Sequence, residues 1–198
     1  DTILDIRTQS FLDRNVMGQP TAAMIRVSKE IQRAAEITND TFKHLRQAFV
    51  QHDSTAIYKI DRNCKVVTKL NDDTVIYISG MFSSGSLTEE QSSITAGLLF
   101  VLNDITKISD RCSDMQYLAR AAVEGRSKFS NEAVDDLGES FELADKMFED
   151  IITALETGDK DIAKQVMRDR RELHVLGKKS KRNQVDRLKS RHGGADPT

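Results

Sequence analysis

Ala48-Phe49-Val50-Gln51-His52-Asp53 (AFVQHD) recurs as Ala154-Leu155-Glu156-Thr157-Gly158-Asp159 (ALETGD), 106 positions further on, and this repetition decides how the rest of the chain is read. Upstream, the helical pattern returns at the same offset. Val27 answers to Ala133, Ile31 to Leu137, Thr38 to Ala144, Phe42 to Phe148 and Leu45 to Ile151. One amphipathic face is written twice, which makes the chain a tandem repeat. Between the copies the spacing predicts a helix from about Leu87 to Gly125. Its counterpart would begin near residue 193, and the sequence ends at Thr198, so the second unit is expected to lack its third helix.

The remaining helices follow from apolar spacing and from the near absence of breakers. Pro20 is the first proline and Pro197 the other, which leaves room for long helices. The first is expected from near Thr21 to about Gln51 and the second from Ser54 to Ile78, with Gly80 to Ser86 (GMFSSGS) as a loop. Thr88-Glu89-Glu90-Gln91 has the form of a capping box. Within the third helix Ile94, Leu98, Val101, Ile105, Ile108, Cys112, Met115, Ala119 and Ala122 alternate steps of four and three, a coiled-coil seam with Ile108 in its middle. Ser130 would cap a fourth helix reaching Thr157 or Gly158, and a basic fifth is expected from Lys160 to about Ser190. No segment alternates with period two, so the expected class is all-α.

Residues 1–19 show no sustained helical period and read as a tether. The helical domain spans 20–192, divided into a first repeat at 20–125 and an incomplete second at 129–192, and 193–198 reads as a disordered tail. With 38% apolar and 30% charged residues among 198, the composition is that of a soluble globular chain able to bury a substantial core. The apolar run Ala96 to Leu102 is far shorter than the ~20 residues of a membrane span, and no signal-peptide pattern opens the sequence. Cys64 and Cys112 lie inside helical patterns without CxxC or Cys/His clustering and read as reduced core residues.

A net charge of −2 conceals an asymmetry. Arg168 to His192 carries ten Lys/Arg against Asp169, Glu172 and Asp186, whereas Asn131 to Asp161 carries eleven Asp/Glu against Lys146 and Lys160. Either these consecutive segments lie antiparallel and neutralise each other, or the basic one forms a surface for phosphate or lipid headgroups. No aromatic residues interleave with the basic ones to stack on bases, so nucleic acid is not an expected partner.

At about 100° per residue, Thr106, Asp110 and Asp114 make one stripe on the third helix, opposite the Ile105/Ile108/Cys112 side of the seam. Carboxylates at i and i+4 can jointly hold an oxygen-preferring cation, and a solvated helix face carries such pairs as well. Leu102-Asn103-Asp104-Ile105-Thr106-Lys107-Ile108-Ser109-Asp110-Arg111-Cys112-Ser113-Asp114 resembles the signature helix of the PhoU family, LERIGDHAxNI. Lys128-Phe129-Ser130-Asn131-Glu132-Ala133 is similar to the lead-in that follows it. Phe11-Leu12-Asp13, then Pro20 and Ala22-Ala23, resembles the segment that joins the last membrane helix to the PhoU-like domain of bacterial sodium/phosphate cotransporters.

That resemblance implies tandem three-helix bundles, in keeping with the repeat, and E/DxxxD motifs that bind clusters of iron or other metal ions. Carried over, Asp110 matches the signature aspartate and Asp114 stands where the family often has asparagine. Asp61 resembles the acidic position of the second helix, and Asp169 its equivalent in the second repeat. Thr106 occupies the glutamate position and removes a ligand, and Lys65, four residues after Asp61, would repel a cation. The resemblance further implies a non-catalytic regulatory domain on the cytoplasmic face of the inner membrane. Its partner would be the transporter domain of the same polypeptide, with a second copy as a further partner. A free-standing PhoU-type regulator and a ligand-independent structural bundle are the alternatives. Glu172 and His174 do not make the Glu-x-x-His of a di-metal bundle, and no P-loop, GxSxG or GxGxxG occurs.

Overall fold

The computed structural model describes residues 10–125 and 131–158, the backbone alone for 131–137, and single helical residues at 165, 168, 169, 171, 172, 175, 178 and 182. The expected Ser130 cap, most of the fifth helix, the disordered tail and residues 1–9 lie outside the described residues. The described chain is all-α: α1 (Pro20–Gln51), α2 (Ser54–Ser83), α3 (Glu89–Val123) and α4 (Asn131–Thr157), preceded by a single 3-10 turn at Arg14–Val16. No strand occurs among the described residues.

The starts of the first three helices follow from local chemistry. Pro20 occupies the first turn of α1, where its missing N–H costs nothing. Asp53 caps α2 by accepting from the Thr55 N–H at 2.8 Å, and the two hydrogen bonds to Thr55 hold its carboxyl below the ordinary value. The capping box of α3 is present in full: Thr88 Oγ1 accepts from the Gln91 N–H at 3.2 Å and the Gln91 side chain accepts from the Thr88 N–H at 3.0 Å.

α1 terminates on His52 in the left-handed conformation, φ 54°, and Gly158, which follows α4, has φ 68°. The same cap geometry therefore occurs at both positions, and only the second meets it with glycine. A side chain in that region costs about 1 kcal/mol or more. His52→Gly is expected to stabilise the chain by about 1 kcal/mol in denaturant unfolding, whereas the same change at Lys59, inside α2, should destabilise it by a similar amount.

α1 is the central element, packed against α2, α3 and α4, while α2 also packs on α3. Ala23, Val27, Ile31, Ala34, Ala35, Ile37, Val67, Leu70, Tyr77, Ile78, Met81, Leu102, Ile105 and Phe148 bury one apolar cluster. Leu45, Ala48, Phe49, Ala56, Ile57, Ile60, Cys64, Cys112, Ala119, Ala122 and Phe141 bury a second, towards the α1–α2 connection. Phe42 joins the two, its ring 5.9 Å from Phe141 at 78° and 5.8 Å from Phe148. α1 and α4 run antiparallel: Lys43 pairs with Asp145 at 3.5 Å, Arg46 with Glu142 at 3.9 Å, and the Ser28 hydroxyl donates to the Leu155 carbonyl at 3.3 Å.

Two local expectations are corrected. α2 does not end at Ile78 but continues through Gly80 to Ser83, because Met81 is fully buried in the first cluster and holds the extra turn against the core. The buried side of α3 is also rotated from the expected seam. Ile94 is 47% exposed, Val101 and Ile108 are half-buried, and Thr95, Leu102 and Ser109 lie inside with Ile105, Cys112, Ala119 and Ala122. Two neighbours, α1 and α2, close on α3 from adjacent sides, and the short Thr95 and Ser109 side chains fit where the helices pack closely.

Candidate functional site

The carboxylates of the α3 stripe stand on the outer surface of the bundle. Asp110 is exposed, and Asp114, one turn on, pairs with Arg111 at 3.2 Å. Thr106 is turned towards α2, its hydroxyl 2.9 Å from the Leu102 carbonyl and 3.2 Å from Asn71 Oδ1. It therefore serves as a helix-to-helix contact and supplies no anionic oxygen. Asp61 on α2 accepts from Lys65 Nζ at 2.7 Å, and that ammonium is held charged by the contact.

The candidate residues open onto different clefts. Asp110 lies at one of about 540 Å³ between α3, α1 and α4, with Phe42, Lys107, Ile108, Arg111 and Met147. Asp61 lines another of about 450 Å³ between α2 and the end of α3, with Ser54, Ile57, Tyr58, Gln116, Arg120, Val123 and Glu124. Asp169 is buried, takes a hydrogen bond from Gln165 Nε2 at 2.6 Å and pairs with Lys146 at 3.2 Å. That ion pair joins the acidic and basic stretches through the minority charge of each.

Among the described residues, no three or more His, Cys, Asp or Glu are grouped to hold a metal ion. The residues implied as iron or other metal ligands do not fit such a group as they stand. Asp61 and Asp114 each have a cation at contact distance, and Asp110 and Asp61 belong to separate clefts. Cys64 donates to the Ser109 carbonyl at 3.4 Å, and burial raises the thiol of Cys64 and pushes that of Cys112 well above the ordinary range. Both are buried in the core, where desolvation disfavours the thiolate, the nucleophilic form.

The polar groups that the sequence reading passed over are inside. Glu30 is 1% exposed on α1, paired with Arg33 at 2.9 Å; burial pushes its carboxyl above the ordinary value, while the Phe11 N–H, Arg33 and Ser10 oppose the shift and Asp73 adds to it. On the same helix His44 touches Asp40 through Nε2 at 3.4 Å and Gln47 through Nδ1 at 2.9 Å, and Asn63 of α2 donates to Asp40 at 2.9 Å. This cluster knits α1 to α2. Its only sequence signal is that His44 and Asn63 fall on the apolar faces of their helices.

Fold and surface together define an all-helical bundle with shallow, mixed-charge clefts. Set beside known proteins, the chain matches no family model, no curated protein and no solved structure. No described helix is long and apolar enough to cross a membrane.

Proposed function

We propose that this chain is a PhoU-like regulatory domain, the cytoplasmic part of a sodium-dependent phosphate cotransporter, and that it acts by binding without catalysis. The observation that carries the reading is the relation between α1 and α4. The 106-residue repeat makes Phe42 and Phe148 equivalent, and the two rings touch at 5.8 Å between antiparallel helices. Two copies of one unit facing each other across a local two-fold axis would place an equivalent pair in that way. The left-handed caps at His52 and Gly158 repeat with the same offset. A tandem bundle of this kind, with an α3 that carries the LNDITKISDRCSD segment and a lead-in ahead of Pro20, is what the family resemblance implies.

As the mechanism, the bundle shifts the membrane domain between states by preferring one of them. This requires an effector whose affinity differs between those states. Antibody raised against residues 20–125 is expected to detect the native protein in the membrane fraction, resistant to alkaline carbonate and far larger than a 198-residue chain. Recovery of the native protein in the soluble fraction would favour the free-standing regulator instead.

A further inference from the structure

The segment ahead of α1 is fastened to the bundle at three separate points. The first is Glu30, whose Oε2 accepts from the Phe11 N–H at 3.0 Å and whose Oε1 lies 3.4 Å from the Ser10 hydroxyl and 2.9 Å from Arg33. The Phe11 ring covers the Arg33 guanidinium at 5.6 Å. The second is Tyr77 of α2, which donates to the Asp13 carbonyl at 2.8 Å. At the third, Met17 fills the notch left by Gly80, where a Cβ would come within 2.6 Å of its Sδ. Leu12 and Met17 pack on the first core cluster, and Asp13 caps the short turn by accepting from the Asn15 N–H at 2.9 Å.

These contacts are specific in geometry yet small in apolar area. Leu12 and Met17 are the strap's only contributions to the core cluster, and Phe11 remains 40% exposed. Lifting the segment would let water reach Glu30 and Arg33, which keep each other's charge company on one helix face, so neither is stranded in a dry interior. The three helices beneath are held by two continuous apolar clusters whose buried members all lie in α1 to α4. An element so fastened belongs at the low end of the local stability range, opening on its own while the core stays closed.

We propose that residues 10–17 form a releasable strap, a two-state element whose docking on Glu30, Tyr77 and the Gly80 notch couples the chain ahead of Ser10 to α1 and α2. Any displacement of that preceding chain biases the strap between docked and released, and the released state uncovers the Glu30–Arg33 pair on α1 and the Gly80 notch on α2. The proposal rests on the contacts of this chain alone and stands independently of the transport reading.

Hydrogen exchange on the whole chain, read by mass spectrometry over residues 10–17 and over the α1–α3 core, tests it. In the unaltered protein the strap amides should exchange more slowly than in the free peptide and faster than the core. Tyr77→Phe removes one hydrogen bond and should speed strap exchange about fivefold with the core unchanged. Gly80→Ala gives the sharper result, because the three atoms nearest the new Cβ all belong to Met17 while alanine favours the helix. Strap exchange should rise while α2 exchange stays the same or slows. Free-peptide exchange in the unaltered strap, no change of the strap in either variant, or strap and core rising together would overturn the proposal.

Discussion

Ile105→Asp should abolish the cooperative thermal transition of the bundle, while Asp110→Ala, five residues further along the same helix, should leave it within about 0.5 kcal/mol of the parent. Ile105 is 1% exposed and packs in the first core cluster. An aspartate there would bury a charge without a partner, a cost of several kcal/mol against a total stability of about 5–15 kcal/mol. Asp110 faces outward. Ile108, central in the seam read from the sequence, is half-buried beside the cleft formed with Phe42 and Met147, so Ile108→Asp should cost distinctly less than Ile105→Asp. Circular dichroism melting of the three variants checks the order, and equal loss at 105 and 110 would place the wrong side of α3 inward.

Phe148→Ala should destabilise the chain by about 3–5 kcal/mol and loosen α4 before the other helices. Phe148 is fully buried, and its ring contact with Phe42 ties α4 into the core cluster shared by α1, α2 and α3. The ion pairs along the same α1–α4 contact, Lys43 with Asp145 and Arg46 with Glu142, involve side chains that are 40% exposed or more. Lys43→Ala should therefore cost no more than about 1 kcal/mol. Urea unfolding, with limited proteolysis to locate the first cut, separates the two contributions. Comparable losses from Phe148→Ala and Lys43→Ala would mean that charge, not aromatic packing, holds α4.

Those two results depend on features of very different visibility in the sequence. The faces of α1 and α4 were legible because Val27, Ile31, Leu45, Phe148 and Ile151 recur at helical spacing, and the start of α3 because Thr88 and Gln91 satisfy its first N–H groups reciprocally. The inward side of α3 was legible only in part: Ile105, Cys112, Ala119 and Ala122 of the expected seam are buried, but Thr95 and Ser109 carry no apolar signal and are buried by the closeness of two neighbouring helices. α2 runs past Gly80 because Met81 is buried in the core, and the missing side chain at Gly80 makes room for Met17, a contact made across 63 residues of sequence that no local pattern encodes. Glu30 carries no apolar signal either, yet it is buried with Ser10 and Phe11 of the preceding segment hydrogen-bonded to its carboxylate.

The candidate carboxylates divide in the same way. The surface position of Asp110 and Asp114 followed from the stripe they make at helical spacing, and Lys65, one turn from Asp61 in the sequence, is found in a 2.7 Å ion pair with it. The separation of Asp61 and Asp110 into two clefts depends on how α2 and α3 are rotated about their axes, which spacing alone leaves undetermined. The Asp40, His44 and Asn63 contact likewise needs the register of α1 against α2.

Uptake of labelled phosphate tests the central claim most directly. Cells carrying the full-length protein would be compared with cells carrying a version ended before Pro20, at equal membrane abundance, in phosphate-starved and phosphate-replete growth. The regulatory reading predicts that sodium-coupled uptake persists in the shortened protein while its response to phosphate supply changes. Complete loss of uptake would make the bundle part of the transport machine, and identical uptake under both conditions would leave it no regulatory role.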